Sequence, residues 1–508
     1  MKKIKKIIAI GLASIFSLAM ISCGEVEKDT KQENFDGRAF YEIFVRSFND
    51  SNGDGVGDLK GVTEKLDYLE ELGVKGIWLM PILQSGSYHG YDVDDYYAID
   101  DEYGTMDDFK ELINEAHKRD IKVIMDLVLN HTSSNNQWFL SAKDDKNSKY
   151  RDYYLWSDDM SLVKEVSPMN TLGWHKNGDK EEVYYGIFYG GMPDLNYDNP
   201  EVVQNSKDIA KYYLEIGLDG FRLDAAKWMF LETDKNVEFW KEFNDYCKSI
   251  NKDTILVGEV WDSPYNTVNY TTCLDSFFEF SMGEYIVDRI VGASISGFPT
   301  DYMNIDDIYK EENKDFIMSS FLSNHDQARV ISSFYDDYQM KTAAIMYLTL
   351  PGTPFIYYGE EIGMEGSGAD ENKRQPFIWD NEDLSKNTSW EEVKFDTSKI
   401  AVNVQEKDEN SILNFYKDIL EVRNSYKCLR LGNVDSVETS DGNILAMERT
   451  YKKETAYVIV NGNDDKGKAS IPDGSYEIVY SNKDKEGTIK SEGKIDLEEK
   501  EMLILIEK

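Results

Sequence analysis

The stretch MDDFKELINEAHKRDIKVIMDLVLNH, residues 106–131, contains the unit that decides the fold. Its first part, Met106–Arg119, places apolar residues at helical spacing and predicts an amphipathic helix. Its second part, Ile121–Leu129, is a nearly continuous apolar run, which is typical of a strand covered on both faces. A helix followed by such a strand is the repeating unit of a parallel α/β sheet.

The same unit recurs along most of the chain. A further helix is predicted over Lys60–Leu72, between two of the apolar runs. The predicted strands are Ala39–Phe48, Val74–Ile82, Ile121–Leu129, Leu218–Ala226, Thr254–Trp261, Cys273–Ser281, Phe316–Ser323 and Thr353–Tyr358. Eight parallel strands separated by helices predict the α/β class and a (β/α)₈ TIM barrel.

Two regions depart from this alternation. Residues 132–196 lose the helical period and are rich in Trp, Tyr, Gly, Asn and Asp, which predicts a subdomain (domain B) inserted after the third strand. Residues 429–508 contain short alternating runs separated by Asn-Gly, Asp-Gly and Glu-Gly turns, which predict a C-terminal all-β sandwich. The barrel is therefore expected over 37–131 and 197–428.

The N-terminal residues predict export. Four lysines within residues 2–6 precede an apolar run, Ile7–Ile21, that is too short to span a membrane comfortably and is typical of a secretory signal. Met20-Ile21-Ser22-Cys23 resembles a bacterial lipobox, so residues 1–22 are expected to be a lipoprotein signal peptide, with Cys23 lipidated and 23–36 a flexible tether. The alternative is ordinary secretion, with Cys23 a free thiol. We expect the protein outside the cytoplasm, held at the membrane only by this lipid, on the cell surface or in the periplasm.

Bulk composition restricts the partners. The 508-residue chain is 41% hydrophobic, enough for packed cores, and has a formal net charge of −39. Such a field repels phosphates and disfavours nucleic acid, whereas a neutral sugar polymer is not repelled. Solubility alone explains the negative charge better than any ligand role does. A monomer is expected.

Charged and polar residues cluster where the predicted strands end. In a TIM barrel these carboxyl-terminal ends converge at one mouth, where catalytic groups lie. A single strand-end carboxylate could be a helix N-cap, but several carboxylates with two histidines and an arginine at one rim favour an active site. The residues are Asp126 and His131 after the third strand, Arg222, Asp224 and Lys227 after the fourth, Glu259 after the fifth, and His325 and Asp326 after the seventh.

These groups suit glycoside hydrolysis. That reaction needs one ionised carboxylate and one protonated carboxyl on opposite sides of the scissile bond. Arg222 lies on the same strand face as Asp224, so its charge is expected to keep Asp224 ionised. Glu259 has no adjacent cation in sequence, so a raised pKa and an acid role are expected for it.

These four strand ends resemble the conserved regions of the α-amylase family of glycoside hydrolases. Met192-Pro193-Asp194-Leu195-Asn196 resembles a fifth region of that family, in a form intermediate between oligo-1,6-glucosidases and neopullulanases. The resemblance covers nearly the whole chain after the tether. It implies a retaining hydrolase, acting within the chain of α-1,4-glucans such as starch, glycogen or maltodextrins.

The resemblance also implies roles for individual residues. Asp224 would be the nucleophile, Glu259 the acid/base, and Asp326 the residue that holds sugar hydroxyls and favours ring distortion. Retention predicts that the two catalytic carboxyls lie roughly 5–5.5 Å apart. The substrate-binding set would be His89 and Tyr91, the latter an aromatic platform, with Asp126, His131, Arg222, Lys227 and His325.

Some positions bear on specificity. Tyr88 stands where exo-acting α-glucosidases of the family carry an Asp, which favours an open, amylase-like cleft. Trp228 replaces a histidine found in many amylases and either stacks on a sugar or packs internally. The Gln375–Trp379 segment resembles a Q-P-x-x-W segment of related glucosidases, with no role assigned.

A loop after the first predicted strand resembles a calcium site. Asp50, Asn52, Asp54 and Asp58 place oxygens at EF-hand-like positions 1, 3, 5 and 9, and the Val56 carbonyl could serve at position 7. Position 12 is Gly61 rather than Glu, so this is no EF-hand; it resembles the calcium loop of oligo-1,6-glucosidase-like members. A structural Ca²⁺ is expected, against the alternative of an Asp/Asn/Gly turn without metal.

Other functions remain open. Relatives with the same catalytic groups include α-glucosidases, cyclomaltodextrinases and 4-α-glucanotransferases, which differ in whether water or a glucan accepts the glucosyl group. A non-catalytic glucan-binding surface lipoprotein is a more distant alternative, disfavoured because Asp224, Glu259 and Asp326 are all present.

Overall fold

The structure is a computed structural model and describes residues 37–508. Seven parallel strands form one sheet, whose neighbours hydrogen-bond in the spatial order sixth, fifth, fourth, third, second, first, last. In chain order these barrel strands are Phe40–Ile43, Gly76–Leu79, Lys122–Leu127, Gly220–Leu223, Ile255–Gly258, Ser276–Phe277 and Phe355–Tyr357.

The segment Phe316–Ser323 closes the barrel between the sixth and last strands. It was predicted as a full strand, but only Ser319 forms a β-bridge, to Phe278. Backbone hydrogen bonds nevertheless join it to both sides: Ser319 N–H donates to the Phe277 carbonyl (3.2 Å), and Phe355 N–H donates to the Ser320 carbonyl (2.8 Å). The segment, seventh in chain order, therefore completes the wall of eight strand positions, and the chain has the (β/α)₈ barrel fold.

Helices surround the barrel. The predicted helix Met106–Arg119 is present as Met106–Lys118, begun by a capping box between Thr105 and Asp108. The predicted helix Lys60–Leu72 is interrupted at Lys65, where the backbone leaves helical geometry (φ −104°, ψ 7°). The main helices are Leu59–Glu64, Leu66–Leu72, Met106–Lys118, Pro200–Ile216, Thr233–Ile250, Phe280–Val291, Phe298–Glu312, Asp337–Leu348 and Ile412–Ser425.

The barrel interior is packed with large apolar side chains. The buried cluster inside it consists of Phe40, Trp78, Ile124, Ile255, Val257, Phe278, Phe280, Ile317, Phe321 and Phe355. Because side chains alternate along a strand, residues two positions beyond this layer also point inward, one step nearer the carboxyl-terminal mouth. This apolar layer, here called the apolar floor, therefore lies directly beneath the polar side chains of the barrel mouth.

The inserted region after the third barrel strand is small and largely irregular. It contains the helix Gln137–Asp144 and a three-stranded antiparallel sheet of Trp156–Ser157, Trp174–Lys176 and Val183–Tyr185. An isolated bridge between His131 and Asp194 joins its two ends.

The C-terminal domain is all-β. Six antiparallel strands form its main sheet, in sequence order Asn433–Ser436, Ile444–Tyr451, Glu454–Asn461, Gly474–Ser481, Thr488–Ser491 and Met502–Glu507. A two-stranded sheet of Gly467–Ala469 and Ile495–Leu497 contributes to the same apolar core.

The predicted signal peptide, the tether and Cys23 lie outside the described residues. Cys247, Cys273 and Cys428 are free and buried. Within residues 37–508, every helix is too short or too polar to cross a bilayer.

Candidate active site

Strand register delivers charged residues to the barrel mouth. In three strands, a residue of the apolar floor is followed two positions later by a charged residue, which therefore faces inward and one layer higher. The pairs are Phe40 and Glu42, Ile124 and Asp126, and Val257 and Glu259. Arg222 pairs in register with Asp126 on one side and Val257 on the other, which places its guanidinium among these carboxyls.

Arg222 is the centre of the first polar network. Its Nη1 lies 2.7 Å from Asp126 Oδ1 and 2.6 Å from Asp224 Oδ1, and its Nη2 lies 2.8 Å from Glu259 Oε2. The arginine is buried, and its guanidinium also lies 5.3 Å from the centre of the Trp78 ring. Contrary to the expectation from sequence, Glu259 has a cation beside it, because the neighbouring strand supplies one that linear spacing does not reveal.

The two predicted catalytic carboxyls contact adjacent nitrogens of this one guanidinium. Glu259 Oε2 also accepts the Ala225 N–H (3.0 Å), from the residue that follows Asp224. Burial raises the pKa of Asp224 to about 8; Arg222 opposes this shift, and Glu259 adds to it. Arg222 thus acts on Asp224 in the expected direction, favouring the carboxylate, but one cation serves three carboxyls and does not fully offset burial. Asp224 therefore retains a proton more readily than an exposed carboxyl does.

His325 is the centre of the second polar network. Its Nδ1 lies 2.6 Å from Glu42 Oε1, and its Nε2 lies 2.5 Å from the Tyr91 hydroxyl and 3.1 Å from Asp326 Oδ2. The Tyr91 hydroxyl donates to Asp126 Oδ2 (3.1 Å), which joins the two networks. Burial lowers the pKa of His325, but the Asp326 and Glu42 carboxylates outweigh it and raise that pKa to about 9. His325 is thus an imidazolium at neutral pH.

Asp326 is held from two sides. Burial would raise its pKa, but His325 and then Arg374 outweigh burial and hold the pKa well below its usual value. Arg374 Nη2 donates to Asp326 Oδ1 (3.0 Å), and its Nε donates to the His325 carbonyl (3.1 Å). Lys373 Nζ donates to the Asp326 carbonyl (2.8 Å).

Arg374 and Glu42 were not predicted as site residues. Glu42 carried a signal, since a charged residue within a buried apolar strand needs a partner. Arg374 directly precedes the Gln375–Trp379 segment, which was noted without a role; its contact with Asp326 depends on how a long loop folds, which sequence spacing does not give.

The two networks border an open cavity of about 300 Å³. Six predicted site residues line it: His89, Tyr91, His131, Asp224, Glu259 and Asp326. Phe188, Tyr189, Met192, Asp370 and Arg374 complete the lining. Asp126, Arg222 and His325 lie beneath, where they contact the lining residues.

The two other histidines of the cavity are neutral. Burial lowers the pKa of His131 to about 4 and also lowers that of His89. His131 Nε2 donates to the Tyr91 carbonyl (3.1 Å), and His89 Nδ1 accepts the Tyr91 N–H (3.1 Å). Both imidazole rings therefore position the backbone of Tyr91. The side-chain ring of Tyr91 stacks on His325, with ring centroids 5.5 Å apart.

Comparison with known proteins agrees with this geometry. The model of the α-amylase catalytic domain matches residues 42–432, which include every barrel strand except part of the first. The chain belongs to the α-amylase family of glycoside hydrolases. It is therefore a glycosidase of α-glucans by family, with the charged cavity at the expected end of the barrel.

Three relatives of this α-amylase family chain are informative. "Alpha-amylase 3" of Dictyoglomus thermophilum is 46% identical over 429 residues, 84% of each chain. The crystal structure of alpha-amylase from H. orenii superposes with a TM-score of 0.87 at 41% identity, covering 93% of this chain and 99% of that one. A 4-alpha-glucanotransferase of Thermotoga neapolitana is 36% identical over 384 residues, 73% of this chain and 84% of that one. Hydrolases and a transferase are thus both similar to this chain.

The predicted substrate residue Lys227 lies outside the catalytic cavity of this amylase-family barrel. Its Nζ donates to the Trp261 carbonyl (2.9 Å) and Asp262 Oδ2 (3.0 Å), and lies 4.6 Å from the Trp228 ring centre. Trp261, which was not predicted, stacks face to face on Phe280 at 4.4 Å and stays partly exposed. Lys227 thus joins the Trp261 backbone, after the fifth strand, to the segment after the fourth strand that carries Trp228.

In the predicted calcium loop, the side-chain oxygens accept hydrogen bonds from backbone N–H groups of the same loop. Asp50, Asn52 and Asp54 each accept the N–H two residues later, at 3.1, 2.9 and 2.9 Å, the last donated by Val56. Asp58 caps the following helix by accepting the Gly61 N–H (2.7 Å). Between residues 37 and 508, no three His, Cys, Asp or Glu side chains gather into a group that could hold a metal. The loop oxygens fit calcium in chemical kind, whereas its acidic side chains alone do not form a site.

Proposed function

We propose that the protein is a retaining endo-hydrolase of α-1,4-glucans, such as starch, glycogen or maltodextrins. The observation that carries this proposal is the shared contact of Asp224 and Glu259 with the Arg222 guanidinium. It holds two carboxyls from neighbouring strands together at the open cavity. Retaining hydrolysis requires one carboxylate and one carboxylic acid at the scissile bond, and two carboxyls held this close together can fill those two roles.

The chemistry proceeds in two balanced steps. Asp224 attacks the anomeric carbon while the bond to the leaving oxygen breaks, and Glu259 donates its proton to that oxygen. Glu259, now a carboxylate, then takes a proton from water, whose oxygen attacks the same carbon and displaces Asp224. Asp126 and Arg222 hold the nucleophile in place from below and stay unchanged.

Asp326 serves as the hydroxyl-binding carboxylate. Its ion pairs with His325 and Arg374 keep it ionised, so it accepts hydrogen bonds from sugar hydroxyls without entering the proton transfer. Tyr91 presents the aromatic face against which the apolar side of the pyranose packs. Its hydroxyl is engaged by Asp126 and His325, so the ring is held in one orientation.

Two features favour cleavage within the glucan chain over the alternatives. The catalytic cavity is open. Tyr88, stacked on Trp390 with ring centroids 5.3 Å apart, occupies the sequence position where exo-acting α-glucosidases of the family carry an acidic residue. A 4-α-glucanotransferase differs only in its acceptor, and the similarity to such an enzyme supports it as the second candidate.

Two experiments test these assignments. With α-maltotriosyl fluoride and azide, Asp224→Gly is expected to form a β-glycosyl azide, because azide attacks in place of the nucleophile. Glu259→Ala is expected to form the α-azide, because azide intercepts the covalent intermediate. Glu259→Gln should lower kcat on starch by about 10²–10⁴-fold. The reverse stereochemistry would contradict the roles.

Product analysis separates the activities. Early mixed maltooligosaccharides from soluble starch support endo-hydrolysis. Glucose alone indicates an α-glucosidase, and products longer than a maltotriose substrate indicate a transferase. An inert protein that binds these glucans would instead be a glucan-binding lipoprotein.

We also propose that the loop 50–58 binds a structural Ca²⁺ through side-chain oxygens of Asp50, Asn52, Asp54 and Asp58 with the Val56 carbonyl. The oxygen-only donor set and the turns that gather it support this. Removing calcium with EGTA should lower Tm, and calcium but not magnesium should restore it. Asp54→Ala should abolish that response, with Asp107→Ala as the exposed-acid control. A Tm unaffected by EGTA would contradict a bound ion.

We propose in addition that Cys23 carries a lipid that anchors the exported chain. The lipobox-like residues 20–23 support this. The protein should partition into detergent phase after export, and Cys23→Ser should release it to the aqueous phase. Aqueous partitioning of both forms would favour ordinary secretion.

A further inference from the structure

A second cleft lies between the inserted domain and the loop that follows the fourth barrel strand. Its volume is about 630 Å³, roughly twice that of the catalytic cavity. Half-buried aromatic side chains form its walls: Trp174 and Tyr185 from the inserted sheet, and Trp228 and Phe230 from the loop. We call this the second cleft.

The second cleft has the surface character of a sugar site. Trp174 and Tyr185 pack edge-on, with ring centroids 5.2 Å apart, and both rings line this space. Its mouth is apolar: Val166 is 59% exposed and Leu231 is 65% exposed. Glu232 and Lys235 add polar groups at the edge. Aromatic faces with polar edges suit a pyranose, whose C–H faces are apolar and whose hydroxyls are equatorial.

The net charge of the molecule restricts which class of ligand the second cleft can bind. A net charge of −39 disfavours an anionic ligand at an open surface cleft. A neutral oligosaccharide meets no such opposition, and it offers several sugar rings to several aromatic walls.

The second cleft and the catalytic cavity share a wall. Within the segment 185–195, Phe188, Tyr189 and Met192 line the catalytic cavity, whereas Ile187 and Asp194 line the second cleft. The wall is fixed to the barrel, since the Leu195 N–H donates to the Asn130 carbonyl at 2.9 Å. A glucan in the second cleft is therefore separated from the catalytic groups by the thickness of one chain segment.

We propose that the second cleft is a separate oligoglucan-binding site, which holds a long α-glucan beside the catalytic cavity. The substrate class rests on the proposed function. Holding a second part of the same chain raises the effective concentration of its scissile bonds. The cleft therefore favours polymeric substrates over short ones.

Binding in an inactive background tests the proposal directly. Calorimetric titration of the full chain carrying Glu259→Gln with maltoheptaose should show two sites. Adding Trp174→Ala should remove one site or weaken it about tenfold, since a ring face is lost. Tyr97→Ala is the matched control, because Tyr97 is also partly exposed and packs edge-on at 5.2 Å, against Tyr212, away from both cavities. A single site in the parent protein overturns the proposal.

Kinetics provide the second test. In the active enzyme, Trp174→Ala should raise KM for soluble starch about three- to tenfold and leave kcat/KM for maltotriose within about twofold. An unchanged starch KM overturns the proposal, and so does an equal loss on both substrates, which would place Trp174 in the catalytic cavity. If Trp174→Ala lowers Tm strongly, Leu231→Arg at the exposed mouth replaces it, with the same expected result.

The outcomes also separate this proposal from the proposed function. If the unmodified protein cleaves no α-glucan, the proposed function fails whatever the titration shows. If it cleaves starch but shows one maltoheptaose site, only the second cleft is wrong. Binding of a hydrophobic dye that maltoheptaose does not displace would assign the cleft to an apolar ligand and overturn the proposal.

Discussion

The catalytic cavity and the second cleft lie on two sides of the same wall and are built in opposite ways. Barrel strands and the segments that follow them supply the catalytic cavity with charged groups, which pair through Arg222, His325 or Arg374. Loops and the inserted sheet supply the second cleft with aromatic faces and a solvent-exposed cation, Lys235. The first region depends on fixed electrostatics, and the second on apolar contact area.

This difference teaches where chemistry and specificity are encoded. Parallel register fixes the height and direction of each strand residue, so groups that must act on one atom are placed on strands. Contact with a long polymer tolerates small displacements, so loops suffice for it. Substitutions of the same kind in the two regions should therefore have unequal effects.

The largest difference between the two regions is expected when one cation is removed from each, Arg222 from the catalytic cavity and Lys235 from the second cleft. Arg222→Met leaves Asp126, Asp224 and Glu259 without their shared partner, which should lower stability by about 3–5 kcal/mol in urea unfolding. It should also abolish measurable turnover. Lys235→Met in the second cleft removes two surface ion pairs, with Asp198 and Glu232, each worth about 0–1 kcal/mol. Comparable losses of stability in Arg222→Met and Lys235→Met would contradict the distinction between an electrostatic catalytic cavity and an apolar second cleft.

A smaller inequality is expected when one tyrosine hydroxyl is removed from each region. Tyr91→Phe loses hydrogen bonds to Asp126 and His325, whereas the Tyr185 ring serves the second cleft through its contact with Trp174. Losing a hydrogen bond to charged groups costs about 1.5–3 kcal/mol, so kcat/KM for maltotriose should fall about tenfold or more in Tyr91→Phe. Tyr185→Phe should stay within about twofold on maltotriose and on starch. A tenfold loss in Tyr185→Phe would show that the second cleft also depends on polar contacts.

The sequence predicts the first region far better than the second. The apolar runs predict the barrel, and the charged residues at their ends predict Asp224, Glu259 and Asp326 as a group. It did not reveal the contact of Arg222 with Glu259 or of Arg374 with Asp326, because both cross between strands or loops. The predicted strand Phe316–Ser323 is reduced to one bridge, between Ser319 and Phe278. The second cleft arises where Trp174 and Phe230, 56 positions apart, face each other, which no local pattern encodes.

The smallest effect on turnover at neutral pH is expected from Glu42→Gln. This substitution tests the electrostatic pairing of His325 beneath the catalytic cavity. Glu42 is one of two carboxylates that raise the pKa of His325 to about 9 despite burial. Without it, the imidazolium should lose its proton at lower pH. The chain has five histidines, so isotope-labelled imidazoles can be titrated individually by NMR. The His325 pKa should fall, and turnover at pH 7 should drop only a few-fold, about 1 kcal/mol.

The direction of the stability change follows from the same shift. A histidine whose pKa is raised from about 6.5 to about 9 on folding stabilises the protein fully below pH 6.5, and this stabilisation is lost as pH rises through about 9. In Glu42→Gln the loss should begin at lower pH, in Tm as well as in activity. Glu360→Gln is the matched control, because Glu360 is equally buried but is bonded to Tyr347 and Tyr416 rather than to His325. If Glu360→Gln moved the His325 titration as far as Glu42→Gln does, the shift would reflect general loss of buried charge and not the pairing that orders the catalytic cavity.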